Sequence, residues 1–100
     1  MVLEHALLSI TPGEEAHFEA ALAEALEVIG GAEGCGTVTV LRGVESPSTY
    51  LLLVEWSSVE AHNEGFRKSE AFARWRALVS PAWAELPTVE HFATVAERRL

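Results

Sequence analysis

Histidine and glutamate are the side chains of this 100-residue chain with chemistry to offer near neutral pH. The four histidines are His5, His17, His62 and His91. His62 shares a helical face with Val59 and Phe66, so its ring is expected to point toward a sheet. An imidazole against an apolar wall can take a proton near neutral pH, the requirement for a general base. A core histidine satisfied by a backbone carbonyl, or a subunit contact, is the competing reading. His91 alternates with Val89, Ala93 and Val95 on one strand face and is expected to point inward, as a second catalytic candidate or as a structural group. His5 alternates with Leu3 and Leu7 and is expected to line the same interior. His17, in a Glu-rich helical turn, is expected in solvent.

A second set of candidates would bind rather than react. Phe66, Phe72 and Trp75 could wall a pocket for a flat aromatic molecule, since aromatic faces stack on aromatic ligands; a plain core is the alternative. Arg42 and Tyr50 lie at strand ends beside a predicted hairpin, where either could hydrogen-bond a substrate oxygen. The histidines have no HxH, HExxH or paired-cysteine spacing, so no metal site is expected. No glycine-rich loop follows a strand to cradle phosphate, and no cofactor is expected. All fifteen acidic residues are Glu. The absence of Asp removes Ser-His-Asp triads and EF-hand loops.

The net charge of −8 argues against nucleic acid as a partner. The basic clusters, Arg67-Lys68, Arg74 with Arg76, and Arg98-Arg99, are short and offset by glutamates. One cysteine, Cys35, cannot form an internal disulfide, which fits a reducing cytoplasm. The N-terminal residues lack the pattern of a signal peptide, and no apolar run is long enough to span a membrane.

The elements that must position these groups are punctuated clearly, and residues 1–100 read as one domain. Val2 to Ile10 is a predicted strand. Thr11, Pro12 and Glu14 form a helix start, with Thr11 as cap, and Phe18, Leu22, Ala25 and Ile29 recur at helical spacing until Gly30-Gly31. Thr37 to Arg42 and Tyr50 to Trp56 are predicted strands around a Pro47 loop. Ser57 with Glu60 is expected to cap a short helix that Gly65 interrupts. Ser69 opens a longer helix with Phe72, Trp75, Val79, Trp83 and Leu86 on one face, bent or broken by Pro81 and stopped by Pro87. Val89 to Ala96 is the last strand.

The order βαββαβ predicts an α+β, ferredoxin-like fold: a four-stranded antiparallel sheet with both helices on one face. An antiparallel strand with one wet face should alternate, yet Leu51-Leu52-Leu53-Val54 is apolar throughout. The helices cover one face only. A second sheet packed against the other is the simplest cover, so a homodimer in the form of a dimeric α+β barrel is expected.

Several segments carry a family likeness: Trp56-Ser57-Ser58, Glu60-Ala61-His62, Ser69 with Phe72, and Pro87-Thr88-Val89-Glu90-His91-Phe92. Through them the chain, from about Leu3 to Val95, resembles the antibiotic biosynthesis monooxygenase family of dimeric α+β barrels. The resemblance implies a cofactor-independent monooxygenase acting with dioxygen on a phenolic or quinol-type aromatic, with His62 as the group that takes the phenol proton. A non-catalytic barrel that binds a small apolar ligand, or serves as an interaction module, is the alternative. The haem-degrading branch places an iron-ligating histidine on the second long helix. Phe72-Ala73-Arg74-Trp75-Arg76-Ala77 stands there instead, which argues against that activity.

Overall fold

The computed structural model describes residues 1–100. Four strands, β1 (Val2–Ser9), β2 (Cys35–Arg42), β3 (Thr49–Trp56) and β4 (Thr88–Phe92), form one sheet in the order β2-β3-β1-β4. All neighbours are antiparallel. Helices α1 (Glu15–Gly30) and α2 (Glu70–Val79) share one face of the sheet, completing the ferredoxin-like α+β fold.

The helix-side core follows the strand parity. Ala6 and Leu8 of β1 and Leu52, Val54 and Trp56 of β3 are buried beneath Phe18, Ala25 and Ile29 of α1 and Trp75 and Val79 of α2. Each such aliphatic or aromatic side chain contributes roughly 1.5–3 kcal/mol when taken from water. The opposite face of β3 carries Leu51 and Leu53, paired across the sheet with Leu7 and His5 of β1 and with Leu41 and Thr39 of β2. Leu7, Leu41 and Phe92 on that face remain 49%, 47% and 48% exposed, and no helix of the chain lies over them.

Local chemistry differs from the sequence reading at several ends. Thr11 does not cap α1 with its side chain; its carbonyl accepts from the Glu14 N–H, and the Glu15 carboxylate reaches back to the Gly13 N–H at 2.9 Å. Strand β2 starts earlier, at Cys35, through an irregular register before Val38. Ser58, not Ser57, caps the segment after β3, its hydroxyl accepting from the Ala61 N–H at 3.0 Å. Ser57 is instead fastened to the α1–β2 turn, its N–H donating to the Gly34 carbonyl at 2.8 Å. Gly34 has φ +84°, and a Cβ there would stand 2.6 Å from Ser57 Oγ. Only glycine suits that position.

The second helical region divides into three. Ala61–Phe66 forms a π-helical turn, closed by the Arg67 N–H donating to the His62 carbonyl at 2.9 Å. Helix α2 follows, with the Ser69 hydroxyl accepting from the Phe72 N–H. Pro81 breaks it, and Ser80–Ala82 is a single 3₁₀ turn. Trp83 and Leu86 therefore leave the helix. Trp83 forms a bridge with Ile10 and runs along the end of β1, while Leu86 is exposed. Strand β4 ends at Phe92, opposite Leu3, because β1 has almost no chain left to pair with. Ala93 and Val95 thus fall outside the strand and are exposed.

Candidate active site

The parity of β1 brings an unexpected group into the helix-side core. Glu4 shares that face with Ala6 and Leu8, lies opposite Val54 of β3 and His91 of β4, and is only 3% exposed. The π-helical turn lowers His62 onto the same spot, also at 3% exposed. The wider i→i+5 loop of a π turn, a feature frequent at functional sites, is the local device that aims the ring.

The result is a continuous row of polar atoms. Glu4 Oε1 accepts from the Trp56 indole N–H at 2.9 Å and lies 3.3 Å from His62 Nε2. His62 Nδ1 lies 2.8 Å from His91 Nε2. The Trp56 ring stacks flat on the His62 imidazole, with centroids 4.9 Å apart at an interplanar angle of 12°. His91 sits on the edge strand and is partly exposed.

Burial governs the electrostatics. It raises the Glu4 carboxyl above its ordinary value, against the opposing influence of the Trp56 hydrogen bond and the Arg67 charge. It lowers His62 to about 4, with the His91 and Arg67 charges acting in the same direction. A neutral His62 has one N–H. Nδ1 and His91 Nε2 share a single hydrogen bond whose direction follows the tautomer, while Nε2 stands beside the Glu4 carboxylate at 3.3 Å with no hydrogen bond to it.

Glu4 and His62 open onto a cavity of about 210 Å³ between α2 and the sheet. Phe66, Phe72, Trp75 and Trp83 wall it, and the exposed Arg67 and Arg76 stand at its rim. The aromatic walls pack as a chain, Phe66 edge-on to Phe72 at 5.5 Å and Trp75 edge-on to Trp83 at 6.3 Å. The Trp83 indole N–H is buried without a hydrogen-bond partner.

The candidates from the sequence are thus distributed over three places. His62, Phe66, Phe72 and Trp75 meet at the cavity, and His91 stands behind His62 rather than on the cavity wall. Arg42 and Tyr50 do not reach it. They lie at the far end of the sheet, where the Tyr50 hydroxyl donates to Glu19 Oε2 at 2.5 Å and Arg42 pairs with the same oxygen at 3.1 Å. Burial and the Glu19 carboxylate push the Tyr50 hydroxyl up to about 12. His5 faces the other side of the sheet from His62 and His91, contrary to expectation, and packs edge-on against Phe92 at 5.3 Å. His17 is exposed and pairs with Glu14. No group of three or more His, Cys, Asp or Glu side chains is arranged to hold a metal ion. No helix is long and apolar enough to cross a membrane.

Sequence reasoning missed Glu4, Trp83 and the two rim arginines. The signal for Glu4 was a carboxylate in register with Ala6, Leu8 and Ile10. It was masked because the other parity, Leu3-His5-Leu7, is equally apolar.

Comparison with known proteins gives a consistent result. The family model described as antibiotic biosynthesis monooxygenase matches residues 1–78, so His91 lies beyond the matched region. The uncharacterized protein YczJ of Bacillus subtilis (strain 168) is 43% identical over 95 residues, covering 95% of this chain and 100% of YczJ. A crystal structure from Bordetella bronchiseptica, provisionally named an antibiotic biosynthesis monooxygenase, superposes with a TM-score of 0.92 at 40% identity, covering 95% of this chain and 97% of that one. A Nitrosomonas europaea protein with the same provisional name shares the fold at a TM-score of 0.80 with 14% identity, covering 96% of this chain and 100% of its own.

Proposed function

Because this chain belongs to the antibiotic biosynthesis monooxygenase family, we propose that it is a cofactor-independent monooxygenase oxidising a small phenolic or quinol-type aromatic with dioxygen. The observation that carries this reading is the Glu4–His62–His91 row ending at an aromatic-walled cavity. At about 210 Å³ the cavity lies between the ~150 Å³ that accommodates benzene and the ~300 Å³ at which drug-sized pockets begin. One or two fused rings fit such a space.

The reaction balances without a cofactor: a phenol with a free ring C–H, plus dioxygen, gives a quinone and water. Loss of the phenol proton makes the ring electron-rich enough to pass an electron to dioxygen. The two radicals then join through a C–O bond, and the resulting peroxide loses water. The protein's part is the proton. A phenol titrating near ~10 facing an imidazole at about 4 is a mismatch of roughly 8 kcal/mol, so His62 cannot keep the proton it takes. It has to hand it on. Nδ1, at 2.8 Å from His91 Nε2, supplies the route from the buried wall to the partly exposed edge strand. His91 and the stacked Trp56 ring hold the His62 imidazole, and Glu4, 3.3 Å from Nε2, supplies a second basic site in this relay.

The hydrogen bonds that Trp56 gives Glu4 and that His62 shares with His91 also favour a second reading, a non-catalytic barrel that binds a small apolar ligand. Oxygen uptake with a hydroquinone and naphthohydroquinone panel separates the two. Consumption above the autoxidation rate that is lost in His62→Gln supports the enzyme. Binding without consumption supports the carrier.

We further propose that residues 1–100 act as one domain in the cytoplasm and that the partner is a second copy. The outer sheet face around Leu7, Leu41, Leu51 and Phe92 is the surface a twin sheet would cover.

A further inference from the structure

The chain carries seven basic side chains against fifteen glutamates. Four of the seven are paired: Arg42 with Glu19, Lys68 with Glu64, Arg74 with Glu24, and Arg99 with Glu97. Arg98 lies in the exposed segment after β4. The remaining two, Arg67 and Arg76, have no carboxylate partner, and both stand at the rim of the same cavity. On a surface this rich in glutamate, two unpaired guanidinium groups at one opening need an explanation.

Each is held over an aromatic wall of the cavity. The Arg67 guanidinium lies 5.8 Å from the Phe72 ring centroid, and that of Arg76 lies 5.7 Å from the Trp83 ring centroid. Such stacking limits the rotamers of a long side chain while leaving its N–H donors free to bind. No hydrogen bond or ion pair within the chain engages their donors, which leaves both guanidinium groups free to meet an oxyanion.

From this geometry we infer that the cavity takes an aromatic molecule bearing an acidic oxyanion group, a carboxylate, which Arg67 and Arg76 bind at the rim while the ring lies between the aromatic walls. The inference rests on the proposed use of the cavity as the ligand site and adds the class of ligand. Glu4 strengthens it through orientation. A buried carboxyl at the inner end disfavours an anion there, so the acid group is held outward and the opposite ring edge faces His62. Arg67 lines the same cavity as Glu4 and His62, so its charge faces the space the ring would occupy.

Calorimetric titration without oxygen at pH 7.5 tests this with 1-naphthoate, 1-naphthyl phosphate and 1-naphthol, the last neutral at that pH. None of these experiments depends on turnover. The expected result is that 1-naphthoate binds about a hundredfold more tightly than 1-naphthol, as two charge-assisted guanidinium–carboxylate contacts supply. Arg67→Met and Arg76→Met, which keep the apolar stem, should each weaken 1-naphthoate about tenfold and 1-naphthol less than twofold. Arg67→Lys should restore part of the loss. Equal or tighter binding of 1-naphthol, loss of both ligands together in the Met variants, or no binding of 1-naphthoate would overturn the inference. Tighter binding of the phosphate than of the carboxylate by more than tenfold would also overturn the carboxylate assignment. Oxygen uptake by uncharged hydroquinones, measured separately, decides the monooxygenase reading whichever way the titrations fall.

Discussion

Replacing His62 with Gln should flatten the acid side of the protein's stability profile, and the size of the effect follows from burial. His62 titrates at about 4 in the folded protein against 6.5 for a solvated imidazole. Between those values the unfolded chain binds a proton that the folded chain refuses, so stability is lost as pH falls through the window. A gap of about 2.5 pH units is worth about 3 kcal/mol, complete below about pH 4. Glu4 acts in the opposite direction. Its carboxyl is raised in the folded state, so above the ordinary carboxylate value the folded chain holds that proton more tightly, and stability increases as pH falls toward that value. The wild-type slope is therefore a difference, and the comparison with His62→Gln isolates the imidazole. Urea unfolding at one fixed protein concentration, at intervals from pH 7.5 to 4, reads it directly; the fixed concentration matters if subunits associate. The free-energy gap between the two proteins should shift by about 3 kcal/mol toward the variant over that range. Parallel profiles, or a His62 NMR titration midpoint near 6.5, would refute the burial argument.

Three further outcomes are expected. Glu4→Gln keeps an acceptor for the Trp56 indole but removes an acid–base group, so oxygen uptake should fall about 10²–10⁴-fold while circular dichroism is unchanged; undiminished uptake would remove Glu4 from the relay. Gly34→Ala forces a Cβ to 2.6 Å from Ser57 Oγ and 2.8 Å from Ala61 Cβ at a positive φ, and should cost roughly 1–3 kcal/mol in chemical denaturation. Leu51→Glu places a charge at the centre of the bare sheet face and should convert a dimer to a 10.9 kDa species in sedimentation at micromolar concentration; a wild-type protein already monomeric there would end the twin-sheet proposal.

The fold was legible because its signals are local. The Ser69 cap and the Gly30-Gly31 stop act within one or two turns of chain, and Pro81 ends α2 just before the 3₁₀ turn, as a ring without an N–H must. His62 was legible for the same reason: helical spacing with Phe66 fixes its side relative to its own neighbours, whatever the helix packs against. The unbroken apolar run Leu51 to Val54 likewise marked a sheet with apolar side chains on both faces.

The site itself was only partly legible. In β1 both parities look buried, so nothing local says whether Glu4 or His5 turns inward; the pairing of β1 with β3 and β4 decided it, setting Glu4 beside His91 and His5 against Phe92. Trp83 became a cavity wall because the chain leaves the helix after Pro81 and bridges to Ile10, a contact more than seventy residues away in sequence. Arg42 and Tyr50, plausible as strand-end polar groups, ended at the opposite end of the sheet for the same reason. Period belongs to the sequence, since it depends on neighbours a few residues apart; capping does so only in part, because Ser69 caps α2 as expected while Thr11 makes no side-chain cap and Ser58 takes the place of Ser57. Which face is inward, and which distant groups share one proton, belong to the tertiary structure, since strand register is set by contacts that no local window contains.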